Sequence, residues 1–349
     1  MGDYMDEIDL DKYEIRTDLA LESVEDNDNI NVKKIEYDNI VVSRMKINKN
    51  EEEKTGKKQG IYSSIEYEDI TDTNNFNNVK KVFCDELKFI LNKLKIKNTD
   101  ECLIIGLGNE HSTPDALGPK TINNIFVTRH LFSLTETIID DGYRCVSAFN
   151  PGVMGITGIE TSDVITSIIN TIKPKFIIVI DALLASSIEK VNKIIQITDS
   201  GINPGSGVGN YRNEITKKSV GIPVIALGIP TVVDATTIVS DTINFMMKNF
   251  SYMNEFINNP INKMVPYSKI NYAKKESKPL SMEDKNKYIG VLGTLEEEQR
   301  KKLIYEVLSP IDYNLIVTPK EIDFLLDKMC MLLSSGINCA LHENKFDKI

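Results

Sequence analysis

Two aspartates stand where an acid and a base could work as a pair. Asp115 lies in GLGNEHSTPDALGP, residues 106–119, where an apolar run passes into a Gly-rich turn and then into a helix with Thr113 as its cap and Pro114 at its first position. A carboxylate in such an opening turn gains about 0.3–1 kcal/mol from the backbone N–H groups and the helix dipole, so a purely structural role also accounts for it. Asp181 closes KFIIVIDA, an apolar run that reads as a central strand and turns polar only at its carboxyl end. A buried ionisable group there is costly unless partnered or open to a crevice, although an aspartate capping the next turn is the plainer account. The combination carries the argument. Two carboxyls within about 4 Å repel by about 4 kcal/mol at an effective dielectric of 20, so such a pair shares one proton near neutrality. The ionised member can activate water against a peptide carbonyl while the protonated one gives its proton to the leaving nitrogen.

Competing chemistries lack their residues. No GxSxG elbow is present, because Ser206 in PGSG lacks the first glycine, and His111, His130 and His342 are too scattered for an HExxH zinc motif. The five cysteines (Cys84, Cys102, Cys145, Cys330 and Cys339) form no CxxC pair and are expected as free thiols, with neither a disulfide framework nor a metal site. Gly106 and Gly108 begin a dinucleotide fingerprint, but His111 stands where its last glycine belongs, so no nucleotide cofactor is expected, nor any other. His111 itself reads as a solvent-exposed loop residue beside the site. Glu160, Asp163 and Asp234 lie near expected helix starts and read as caps or as supporting partners of the aspartate pair. PGVMGITGIETSDVI (151–165) either shapes a surface for a peptide backbone or is a tight turn, and NPGSGVGN (203–210) either lines a substrate groove or is a flexible connection.

The elements that must position these residues follow an α/β pattern. ECLIIGLG, KFIIVIDA and IPVIALGI are the clearest strands, with helices expected to start near Thr113, Thr157 and Ala185 and another to run from Val233 to about Phe250. Sheets of this kind react at the carboxyl ends of their strands. Residues 1–18 are polar and acidic, a tail or a removable extension; 19–98 form a β-rich extension followed by a helix from Asn75 to about Lys95. The catalytic core is assigned to 99–253, a surface connection or insertion to 254–295, and a helical segment, with Ile322, Leu325, Met329 and Leu332 on one face, to 296–349. A net charge of -10 disfavours direct nucleic acid binding, the acidic amino terminus does not resemble a signal peptide, and no apolar run approaches membrane-spanning length; a cytoplasmic protein is expected.

Taken together, GLGN, TPDALGP, TRHLF, PGVMGITGIETSD, IDAL, NPGSGVGN and GIPTVVDA resemble the germination protease family of spore-forming bacteria, and RTDLALE, GTLEEEQRKKLIYEVLSP and VTPKEIDFLL extend the resemblance over nearly the whole chain. The resemblance implies a three-layer α/β/α sandwich similar to hydrogenase maturation proteases. It implies an endopeptidase acting on small acid-soluble spore proteins at germination, made as a homotetrameric zymogen that removes its own propeptide. By motif its essential aspartates fall on Asp115 and Asp181, and its self-cleavage site between Asp18 and Leu19. Glu110 and His111 lie between two family segments, and Ser186 stands where the family commonly has Arg, which puts a substrate contact there in doubt. Two other readings remain. A hydrogenase-maturation-type endopeptidase would carry a His ligand after IPVIALGI, where this chain has none. A non-enzymatic binding protein on the same sandwich would point Asp115 and Asp181 apart.

Overall fold

A computed structural model describes residues 17–24, 30–134, 141–205, 213–258, 278–308 and 315–343. The chain divides into two compact units. The larger comprises Thr17–Ala185, Lys190–Val232 and Thr318–Ile349; the smaller contains Ser186–Glu189 and Val233–Val317.

The larger unit is built on a mixed sheet of β1 (Lys33–Tyr37), β2 (Ile40–Ile47), β3 (Gly60–Tyr67), β4 (Cys102–Gly106), β5 (Val146–Phe149), β6 (Phe176–Ala185), β7 (Ile194–Thr198) and β8 (Val224–Asp234). Their spatial order is β1-β2-β3-β7-β8-β6-β4-β5. The sheet has two characters. From β1 to β8 the pairings are antiparallel, opened by a two-residue turn at Asp38–Asn39 in which Asp38 takes a left-handed φ of 42°. From β6 through β4 to β5 the pairings are parallel. CLIIG and FIIVI are apolar at every position because helices cover both faces there.

Helices Thr73–Lys93, Leu117–Ile122 and Ile322–Leu341 pack on one face, over Ile104, Ile178, Ile180, Ile195 and Ile197. Helix Thr161–Ile172 covers the other with Ile165 and Ile169, over Leu103, Ile105, Ile177 and Val179. These are the three layers of an α/β/α arrangement, and each such aliphatic side chain stabilises it by about 1.5–3 kcal/mol when fully buried. Helix Thr73–Lys93 starts where the Asp72 carboxylate accepts the Asn75 N–H at 2.9 Å. Helix Ile322–Leu341 is long and apolar enough to cross a membrane by length and composition, which corrects the expectation that no segment would be. Its Leu326, Met329, Leu333 and Ile337 lie in the core.

In the smaller unit the last residues of β8, Val233 and Asp234, pair antiparallel with β9 (Ile316–Val317). The chain then enters helix Ala235–Asn258. Arg300, on helix Glu297–Leu308, donates to Asn244 Oδ1 at 2.7 Å and ties that helix to the first.

Several expected elements differ. The run NKNEEEKTGKKQ holds a short helix, Glu52–Thr55, where only a loop was expected. Thr113 does not cap a helix: Thr113–Asp115 is a 3-10 turn preceded by Ser112, and the helix begins at Leu117. The helix expected near Thr157 starts at Thr161, after a separate one-turn helix, Met154–Thr157. Near Ala185 only a 3-10 turn forms, Ile188–Lys190, because β6 continues through Ala-Leu-Leu-Ala to Ala185. In the 254–295 region, residues 259–277 lie outside those described, and helices Met282–Ile289 and Val291–Thr294 follow.

Candidate active site

Strands β4, β5 and β6 run parallel, so their carboxyl ends share one edge of the sheet. Gly106, the last residue of β4, is in register with Ile180, and the Leu107 N–H donates to the Ile180 oxygen at 2.8 Å. Asp181 is the next residue of β6, beyond the last rung of that ladder. It is therefore inside its strand rather than at the strand's end, and only 8% exposed. Its Oδ1 accepts the N–H of Ala182 at 2.9 Å.

The turn that carries Asp115 is folded back onto the end of β4. The Asp115 Oδ2 accepts the Asn109 N–H at 2.7 Å, and the Thr231 hydroxyl donates to the Pro114 oxygen at 2.6 Å. Two glycines make the close approach possible. Gly108 has φ +116°, and a Cβ there would meet the Asp115 carbonyl oxygen at 1.9 Å. A Cβ on Gly118 would meet the Leu107 oxygen at 2.2 Å and the Ile180 oxygen at 2.6 Å, so the helix after the turn rests directly on β4 and β6. Asp115 and Asp181 thus reach the same sheet edge from adjacent strands, each with a carboxylate oxygen accepting a backbone N–H.

The other expected residues divide. Glu160 occupies the N-cap position of helix Thr161–Ile172 without capping it, and its Oε1 is buried with no hydrogen bond among the described residues. Asp163 is exposed in the first turn of that helix. Asp234 belongs to the smaller unit and is a cap: its Oδ1 accepts the Thr237 N–H at 2.7 Å. His111 is exposed, with Nε2 at 3.7 Å from Glu110. The five cysteines are free thiols, Cys84 and Cys339 facing each other with Sγ atoms 2.7 Å apart. Among the described residues no group of three or more His, Cys, Asp or Glu could hold a metal ion.

The Asp18–Leu19 peptide lies against the larger unit. Asp18 donates its N–H to the Leu184 oxygen at 2.9 Å and accepts the Leu184 N–H on Oδ2 at 2.8 Å, three residues along β6 from Asp181. Gln196 on β7 donates from Nε2 to the Asp18 oxygen at 3.0 Å and accepts the Ala20 N–H on Oε1 at 2.7 Å. Lys57 Nζ donates to the Thr17 oxygen at 2.5 Å. Burial lowers the Lys57 pKa, and the charges of Asp18 and Glu22 oppose that shift. Leu19 and Ala20 are fully buried. Sequence reading missed Gln196 and Lys57. A polar residue inside the buried strand IIQIT was the one available signal for Gln196, and Lys57 had none. Residues 1–16 and 206–212, including most of NPGSGVGN, lie outside those described.

The profile of the family described as germination protease matches residues 9–348. Curated germination proteases align over nearly full length. That of Bacillus mycoides is 47% identical over 353 residues, 96% of this chain and 95% of the relative. That of Bacillus thuringiensis subsp. konkukian is 46% identical over the same shares. A solved [NiFe] hydrogenase maturation protease from Thermococcus kodakarensis superposes with a TM-score of 0.28 at 18% identity, covering 42% of this chain and 80% of that one, a likeness too loose to carry an argument.

Proposed function

The chain belongs to the germination protease family, and from that premise we propose that this peptidase is a self-processing aspartate endopeptidase in which Asp115 and Asp181 activate water. The observation that carries the reading is the shared sheet edge. Gly106 and Ile180 end their ladder side by side, the Leu107 to Ile180 bond locks the two strand ends, and the aspartates follow from each. In the reaction one aspartate, as carboxylate, takes a proton from water as its oxygen attacks the scissile carbonyl carbon. The other, as carboxylic acid, protonates the amide nitrogen as the C–N bond breaks. Glu160, whose buried Oε1 lacks a hydrogen-bond partner among the described residues, is the supporting carboxylate closest in kind to this role.

The substrates proposed are the small acid-soluble spore proteins, and the setting the cytoplasm of the germinating spore. The enzyme is proposed to be made as a homotetrameric zymogen whose residues 1–18 are removed at the Asp18–Leu19 bond. The seating of that bond on Leu184 and Gln196 supports a segment held as a tethered substrate. Digestion of purified spore proteins tests the reading. Asp115→Asn and Asp181→Asn should each fold and lose about 10²–10⁴-fold in rate, the range general acid–base groups supply. Full activity in either variant defeats the assignment.

A further inference from the structure

We infer that Gln196 and Lys57 form a seat that chooses the bond at which the chain cuts itself: Gln196 sets the register by holding the backbone on either side of Leu19, and Lys57 selects an acidic residue at position 18. The inference rests on the proposed Asp18–Leu19 cut and adds the residues that select it.

The amide of Gln196 spans Leu19, donating to the carbonyl before it and accepting from the N–H after it. A neighbouring parallel strand offers a residue the same donor and acceptor, so Gln196 reads backbone and is indifferent to the side chain it spans. Its two bonds, at 3.0 and 2.7 Å, together admit one register; a slip of one residue would turn the carbonyl and N–H away. The Leu184 backbone adds a second reading, since its N–H is taken by the Asp18 carboxylate itself. An asparagine could satisfy that N–H but would bring no charge. Charge is read by Lys57, whose Nζ donates to the Thr17 carbonyl and so stands one peptide from the Asp18 side chain. Full burial of Leu19 and Ala20 restricts the next two positions to an apolar and a small residue. The seat therefore takes an acidic, apolar, small segment.

A double-mutant cycle separates this role from simple stabilisation of the fold. Loss of residues 1–18 is followed by intact mass for the wild type, Asp18→Asn, Lys57→Met and the double variant. Asp18→Asn should slow removal about 10-fold with Lys57 present and less than about 2-fold when combined with Lys57→Met, the pattern of two interacting groups. Effects that multiply independently would overturn the selection by Lys57. Gln196→Leu, of similar size without the amide, should slow removal both alone and combined with Asp18→Asn, and scatter the new amino terminus over neighbouring bonds. A uniform Leu19 terminus at the wild-type rate would overturn the register claim. If that variant does not fold, Gln196→Glu, which keeps the acceptor and loses the donor, carries the same expectation. A wild-type chain that digests spore proteins yet never loses residues 1–18 would sink the cut-site reading and the seat together. Orderly removal at Leu19 that ignores both Lys57 and Gln196 would sink the seat alone.

Discussion

The turn that carries Asp115 and the seat that holds Asp18 lie on the same larger unit, yet they are assembled in opposite ways. The turn is closed mainly by hydrogen bonds among residues 109–116, with Thr231 reaching it from β8, and two glycines let backbone pass against backbone. The seat joins residues far apart in sequence: Leu184 and Gln196 reach Asp18 and Ala20 across 166 to 178 positions. A local site is specified by spacing, and its geometry is rigid because it is made of main chain. A seat made of side chains from distant strands is specified only by the fold, and each of its contacts can be removed singly.

That contrast predicts different fragility. Gly108→Ala should be the most damaging single-methyl change, because its Cβ would meet the Asp115 carbonyl oxygen at 1.9 Å and its φ of +116° is hostile to any side chain. A shift of the carboxylate by about 1 Å can cost roughly 10²-fold in rate, so spore-protein digestion should fall at least that far. Near-normal digestion by this variant would break the comparison. The seat variants should do less, slowing self-removal without abolishing it.

The antiparallel half supplies the contrast in stability. Arg44 on β2 donates to both oxygens of Glu86 at 2.6 and 2.8 Å, and the Ser63 hydroxyl adds a bond at 2.7 Å to a carboxylate only 1% exposed. Hydrogen bonding to Glu86 raises the Arg44 pKa against the opposing effect of burial. Glu86→Ala should cost about 3–5 kcal/mol in chemical unfolding, the range for breaking a buried pair. Below its unfolding transition the variant should digest substrate at nearly the wild-type rate, since no part of that network belongs to the turn or the seat. A specific loss of turnover in folded protein would show the two halves to be coupled.

The same distinction explains what could be read from the chain. The strands β4 and β6 were legible because parallel strands covered on both faces are continuously apolar, and β8 because it is buried without a break from Val224 to Thr231. β5 and β7 were not named, since VSAF and IIQIT are short and the second is broken by Gln196. Asp181 looked like a strand end because polarity usually marks one. In fact Ala182 to Ala185 are apolar enough to extend β6, and the loss of the β4 partner at Gly106 opens the edge there. Thr113 looked like a cap because Thr before Pro is a good one, but the close approach of Gly118 to Leu107 and Ile180 holds the segment in a tighter 3-10 turn first. Asp115 was expected in the opening turn of a helix capped by Thr113; it closes a 3-10 turn instead, two residues before the helix begins at Leu117. Lys57, inside a charged run, gave no sign of the carbonyl it meets at Thr17.

The central claim is that Asp115, in the turn after β4, and Asp181, inside β6 just past its last β4 partner, cut peptide bonds, the chain's own first among them. Its most direct test is the amino terminus of purified Asp181→Asn protein, read by mass spectrometry beside the wild type. The account predicts a wild-type chain that comes to begin at Leu19 and a variant that keeps residues 1–18 indefinitely. A variant that also arrives at Leu19, at the wild-type rate and free of other proteases, would contradict it.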